Sequence, residues 1–200
     1  RRIEAVAGIA CLILVDLFTV GHRYLGKEDF VSARAFSNSF SKRPVDEMIL
    51  ADSTLSYRVV DLTSSPFNDM FNGYFHKNIG GYSPAKLQRY QDLIDRYLTA
   101  ELEETIDSIS RATSIPDALN RLPSNEILSA LNCKYFIFNS EAVPLENRNA
   151  YGNAWFVLSV LPVSGPDAEI ASIGEVDLRN VAVIGDDFAE SREAVQAAVS

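Results

Sequence analysis

His76-Lys77-Asn78-Ile79-Gly80-Gly81-Tyr82-Ser83-Pro84-Ala85-Lys86-Leu87-Gln88-Arg89-Tyr90 is the stretch that decides the fold. A polar turn with paired glycines runs straight into a helix start. Ser83 can cap, and Pro84 suits the first helical position because its missing N–H would have no intrahelical partner. Apolar residues follow at Leu87, Tyr90, Ile94, Tyr97, Leu98, Leu102, Ile106 and Ile109. That spacing predicts one long helix with one packing face. Lys77, Asn78, Lys86 and Arg89 gather around its positive end. Cations there oppose the helix dipole, which raises the question of an anion or a buried carboxylate among them.

Outward from this stretch, the elements alternate. Upstream, Tyr57 to Leu62 reads as a first strand, and Pro44 to Ala51 as a helical turn with Asp46-Glu47 where the dipole favours acids. Residues 25 to 56 otherwise read as an irregular surface loop. Downstream, Pro116 to Leu122 and Asn125 to Leu131 (capped by Ser124) read as short helices. Lys134 to Phe138 is bulky enough for a central strand, Ala154 to Leu161 is another, and Val181 to Ile184 is the last. Ser164 to Asp167 reads as a turn, and Phe188 to Val199 as moderately helical. The sum is an α+β fold: a mixed sheet of about four or more strands covered by a long helix and shorter helices. Residues 1–24 form an N-terminal helix or the end of a membrane helix, and residues 25–200 a single α+β domain.

Composition narrows the function classes. The chain has 200 residues, 47% hydrophobic and 22% charged, enough to bury a sizeable core. Its net charge of −9 argues against non-specific binding to DNA, RNA or an anionic membrane surface, without excluding a local basic pocket. Cys11 and Cys133 are far apart and give neither zinc spacing nor a disulfide framework, and His22 and His76 are too isolated for a metal site. No cofactor is expected, because no dinucleotide-binding or phosphate-loop pattern surrounds Gly80-Gly81. Arg1-Arg2 precedes an apolar run from Ile3 to Val20 that is interrupted by Glu4, Asp16 and Thr19. A bilayer span needs about 20 mostly apolar residues. The run therefore fits the end of a membrane helix, with Asp16 to Tyr24 emerging into water, or a buried core helix.

Each candidate site has a plainer counterpart. Gly80-Gly81 before a helix could hold an anion, with Lys77, Lys86 and Arg89 adding charge. Two glycines also simply make a tight turn. His76 could serve as a general base, but no partner for it can be read from the sequence, and a structural hydrogen bond is the preferred reading. Asp186-Asp187 after a strand could bind metal, and an acidic helix cap is the preferred reading. Trp155 beside Asn153 could stack a sugar, whereas a lone tryptophan is more often core. The candidate ligand-binding residues are His76, Lys77, Lys86, Arg89, Tyr82 and Trp155, with no catalytic or metal residue.

Several segments in order carry a resemblance: Asp16-Leu17-Phe18 with Arg23-Tyr24-Leu25, Tyr57-Arg58-Val59, Tyr74 to Lys77, Ile79 to Tyr82, Ala85 to Gln91, Leu128 to Tyr135, and Gly152 to Val157. In this order and spacing the chain resembles the bacterial YfhO-type membrane proteins. That family is similar to membrane-embedded glycosyltransferases that use polyprenyl-phosphate sugars. The resemblance implies an extracytoplasmic (periplasmic) domain at the cell membrane, with residues 1 to about 20 the end of a membrane helix. It implies that the partners are the membrane part of the parent chain and a glycan or polyprenyl-phosphate sugar. It carries no catalytic residue onto this chain, so the fragment is expected to be inactive alone. Two other classes remain: a structural interaction module of the cell envelope, and a hydrolase built on His76 with Asp186 or Asp187. The module requires an exposed apolar patch. The hydrolase requires those side chains to meet in one cleft.

Overall fold

The computed structural model describes residues 2–188 and 197. The chain divides into two compact units, Arg1–Ser41 and Lys42–Ser200.

In the first unit, α1 runs unbroken over Arg2–Tyr24, and none of its residues is buried. It is long and apolar enough to cross a membrane. At 1.5 Å per residue it spans about 34 Å, against about 30 Å for a hydrocarbon core. Asp16 to Tyr24 therefore does not leave the helix. A short 3-10 turn at Lys27–Asp29 and α2 at Ala33–Ser39 follow. The Ala35 N–H donates to Ser32 Oγ (3.2 Å) and caps α2. The region 25 to 56 outside the expected turn is thus not one irregular loop, because α2 lies within it, while α3 (Pro44–Leu50) forms where a helical turn is expected. Serine caps one helix and proline starts the other, as their backbone preferences dictate.

The second unit is built on β1 (Arg58–Asp61), β2 (Cys133–Ile137) and the two-residue β3 (Leu145–Glu146). β2 is central, parallel to β1 and antiparallel to β3. Both faces of this small sheet are covered. Val59 and Ile137 pack with Val45 and Ile49 of α3 on one face. Val60 and Phe136 pack with Ile94, Leu98 and Leu102 on the other. Burial on both faces is why Tyr135 to Phe138 reads as a continuous apolar run rather than an alternating one.

The helix that fills the larger core starts later than its sequence suggests. Pro84 and Ala85 form a turn, and α5 begins at Gln88 and runs to Leu93. It continues as a π-helical turn over Ile94–Leu98 and then as α6 over Thr99–Ser110. Ser83-Pro84 therefore does not start the helix, and Leu87 sits at the cap position with no side-chain cap bond. The delay has a tertiary cause: the Tyr90 hydroxyl donates to the Ile79 carbonyl, tying the first turn back to the strand-like segment beside β1. Gly80-Gly81 makes the tight passage in between. A Cβ on Gly80 would stand 1.9 Å from the Pro66 carbonyl oxygen, and Gly81 has φ +109°. Only glycine meets both demands without strain.

The remaining elements are α4 (Phe71–Phe75), α7 (Ile115–Arg121), α8 (Glu126–Ala130), β4 (Ser159–Val163), α9 (Pro166–Ile173) and β5 (Val181–Gly185). β4 and β5 pair in parallel as a separate two-stranded sheet. The fold is α+β, but its five strands among the described residues form sheets of three and two, not one sheet of four or more. Two local facts account for this. Ala154 to Leu158 is not a strand, so the expected strand begins only at Ser159. The expected turn at Ser164 to Asp167 instead opens α9, with Gly165 at its cap and Pro166 at its start, and α9 links β4 to β5. The π-helical turn places Tyr97 against this second sheet's helix: its hydroxyl donates to the Ile170 carbonyl at 2.7 Å. The helix expected over Phe188 to Val199, apart from Phe188 and Ala197, lies outside the described residues.

Candidate functional site

Two constellations stand out. The first is a buried ionic knot. Arg43 sits at the cap of α3 and Asp46 three residues into it. The Asp46 carboxylate accepts the Arg43 backbone N–H, its Nε–H and its Nη2–H, each at 2.9 Å. Asp46 Oδ1 also lies 2.9 Å from His76 Nε2. Arg43 Nη1 donates to Asp61 Oδ2 at 2.6 Å, and Asp61 Oδ1 accepts from the Thr63 N–H and hydroxyl. The guanidinium also lies over the Phe71 ring. Burial alone would push the Asp46 carboxyl upward; the hydrogen bonds from Arg43 and His76 outweigh it and hold the group below its usual range. Arg43 is pushed up in turn, chiefly by its bond to Asp46, against the opposing effect of burial. The knot joins α3, the end of β1 and the residue after α4. The His76 side chain is 2% exposed and its Nε2 is already engaged, so it is a structural imidazole.

The second constellation is open. A cleft of about 290 Å³ is lined by Ser56, Tyr57, Arg58, Lys77, Asn132, Asn153 and Trp155, among others. Its floor is pinned by backbone and amide bonds. The Arg58 N–H donates to the Asn132 carbonyl (2.8 Å), and Asn132 Nδ2 donates to the Ser56 carbonyl (2.9 Å) and to Asn153 Oδ1 (3.2 Å). Asn132 can reach both walls because its backbone is left-handed, φ +57°, a conformation that asparagine tolerates. Lys77 is placed by a bridge in which its carbonyl accepts the Val59 N–H, and its Nζ donates to Ser56 Oγ at 2.7 Å. Arg58 Nη1 donates to the Leu131 carbonyl. Trp155 is held by its Nε1–H on the Leu178 carbonyl (3.1 Å) and by a tilted contact with Tyr151, 4.9 Å between ring centres. Among the described residues no carboxylate pairs with Arg58 or Lys77. The cleft thus sets two cations, without carboxylate partners among the described residues, beside one indole and two amides.

The six residues singled out from sequence therefore do not converge on a helix start. Lys77 and Trp155 meet in the cleft, and His76 enters the knot. Lys86 lies over the Phe67 ring, and Tyr82 is exposed. Arg89 faces Glu169 and Asp187, at 3.8 and 3.5 Å, beside a groove between α5 and α9. The Gly81 N–H donates to the Pro66 carbonyl rather than to an anion. The basic groups near the helix thus have other engagements, and His76's carboxylate partner is Asp46 rather than Asp186 or Asp187. Among the described residues no group of three or more His, Cys, Asp or Glu could hold a metal.

Sequence reading missed Arg43, Asp46, Asp61, Arg58 and Asn132. The one available signal was Asp46, an acid at the third helical position after a proline. Glu101 was also missed. Its carboxylate reaches from α6 to the start of α8 and accepts the Ile127 and Leu128 N–H groups at 2.8 and 2.9 Å. Burial raises its pKa, and these two bonds oppose that rise. No family model, curated protein or solved structure matches this chain.

Proposed function

We propose that the chain is the membrane-anchored, extracytoplasmic domain of a YfhO-like membrane protein, and that it binds a glycan or a polyprenyl-phosphate sugar rather than transforming it. The observation that carries this reading is the cleft. An indole face and two amides suit a sugar ring, and Arg58 with Lys77 suits a phosphate or uronate beside it. α1 supports the anchor, being long and apolar enough to span. The buried state of His76 supports a binding role over a hydrolytic one, because its imidazole has no open face for substrate.

The test is a titration of the full chain in mild detergent with neutral glycans, anionic glycans and polyprenyl-phosphate analogues, followed through Trp155, the single tryptophan. Binding should shift its emission and prefer the anionic ligands, and Lys77→Gln should weaken it about tenfold, the loss of one charge-assisted contact of about 1.5 kcal/mol. Silence at millimolar ligand leaves the alternative, a structural interaction module of the cell envelope. The exposed Leu55 and Phe156, next in sequence to the cleft residues Ser56 and Trp155, favour that second reading.

A further inference from the structure

β4 and β5 make a sheet of two parallel strands, an arrangement that is marginal without further strands. Each strand has an outer edge, and the two edges are unequal. The register pairs Pro162 with Ile184. Proline has no N–H, so this pairing runs through the Leu161 carbonyl and the Val163 N–H. The Ser159 N–H on the Asn180 carbonyl, at 3.1 Å, keeps the same alternation. Backbone groups of Val160 and Pro162 therefore turn outward on β4, and those of Val183 and Gly185 on β5, with the Val181 carbonyl. Pro162 blunts the β4 edge, because a donor is missing where a new strand would need one. The β5 edge, Val181-Ala182-Val183-Ile184-Gly185, carries neither proline nor charge. The elements packed on β5 are β4 and α9, and no described group bonds the outward side of Val183 or Gly185. An apolar edge with free donors and acceptors is a template for another strand.

We infer that β5 pairs with β5 of a second copy of this chain, antiparallel about a twofold axis at Val183, to give a continuous sheet β4-β5-β5-β4. In this register each Val183 N–H donates to the Val183 carbonyl of the other copy, and each Gly185 N–H to its Val181 carbonyl. The Val181 N–H is already given to the Asp177 carbonyl at 2.9 Å, so the shared ladder ends there. The edge is thus complementary to itself, as a twofold interface requires. Charge agrees with the register. Arg179 and Asp187 lie equally far in sequence before and after Val183, so each Arg179 is set towards Asp187 of the other copy. The Arg179 guanidinium lies over the Tyr151 ring and pairs with no carboxylate among the described residues. The Asp187 side chain is 77% exposed. An unrelated extended peptide would meet the same backbone groups without these two charge pairs. The inference is independent of what the cleft binds.

The test measures the mass of the full chain in mild detergent by sedimentation, and amide hydrogen exchange by NMR, across a range of protein concentration. Pairing predicts a dimer in which the Val183 and Gly185 N–H groups are protected. On dilution they should exchange freely, while Ala182 and Ile184, bonded to β4, stay protected. Val183→Pro removes only an outward donor, one from each copy, and should weaken the dimer about thirtyfold or more. Arg179→Glu should weaken it about tenfold, and adding Asp187→Arg should restore it. A monomer at every concentration overturns the inference. Protection of Val183 and Gly185 that ignores dilution also overturns it, because the chain then covers its own edge. So does a dimer that leaves Val183 and Gly185 exchanging freely, since its contact lies elsewhere. Should Val183→Pro strip protection from Ala182 and Ile184 as well, the strand pair itself has failed and the charge exchange decides. Rescue by Asp187→Arg then supports the pairing, and its absence overturns it.

Discussion

Asp46→Asn tests how much of the second unit hangs on the ionic knot. The substitution keeps shape but turns one carboxylate oxygen into an amide donor. Asp46 accepts four contacts at 2.9 Å, three from Arg43 and one from His76. An asparagine has one acceptor oxygen, so it retains the contacts on one side and meets donors with donors on the other. Hydrogen bonds to charged groups contribute about 1.5–3 kcal/mol each, and removing one partner of a buried ion pair costs about 3–5 kcal/mol. Arg43 retains Asp61 at 2.6 Å and has a partly exposed side chain, which limits the loss to the lower end, about 3 kcal/mol. For a unit of this size that corresponds to a fall in Tm of about 6–12 °C. The assay is urea unfolding of the full chain in mild detergent, followed through Trp155.

The pH arm carries a definite sign. The folded pKa of Asp46 is depressed, so its contribution is full above the unfolded value of about 3.9 and lost as pH falls through the folded value. The gap between the native chain and Asp46→Asn should therefore be constant near neutrality and narrow below about pH 4. His76→Ala should cost about 1–2 kcal/mol, and the double variant less than the sum, because both share one bond. A loss under 1 kcal/mol for Asp46→Asn at pH 7, or a gap that does not narrow in acid, refutes the reasoning.

Glu101→Gln removes one of two carboxylate bonds to the start of α8 and should cost about 1 kcal/mol at pH 7. Because burial raises the folded pKa of Glu101, the native chain's share from this group grows as pH falls from neutrality towards about 4.3. The variant should lack that rise, and paired thermal melts at pH 7 and 5 check it. Gly80→Ala would press a Cβ into the Pro66 carbonyl and should cost about 2 kcal/mol or more in the same melts; a neutral result would show that the turn between β1 and α5 can shift.

Much of the second unit was legible because its signals are local. Tyr57 to Leu62 and Lys134 to Phe138 announced β1 and β2 through composition, and the 3.6-residue apolar spacing announced the long helix. Pro44 and Pro116 act on their own turns. The failures lie where a distant group overrode a local preference. Ser83-Pro84 has a good helix-start sequence, yet the helix waits until Gln88, where the Tyr90 hydroxyl on the Ile79 carbonyl ties it down. Ala154 to Leu158 has strand composition, yet among the described residues it pairs with no strand, and β4 starts only at Ser159.

The candidate site shows the same division. The sequence by itself determined the residue types: a cation at 77, an indole at 155, glycines at 80 and 81 that the turn requires. It also determined the apolar stripe that docks the long helix. Only the tertiary structure decided which of these meet. Lys77 and Trp155 converge because β1 pairs with β2 and Asn132 bridges Ser56 to Asn153, across separations of 76 and 21 residues. His76, one residue from Lys77, turns the other way into Asp46, 30 residues earlier. The physical reason is that periodicity and capping are encoded within a turn or two of chain. Charge pairing and cleft formation depend on contacts whose partners the linear order does not name.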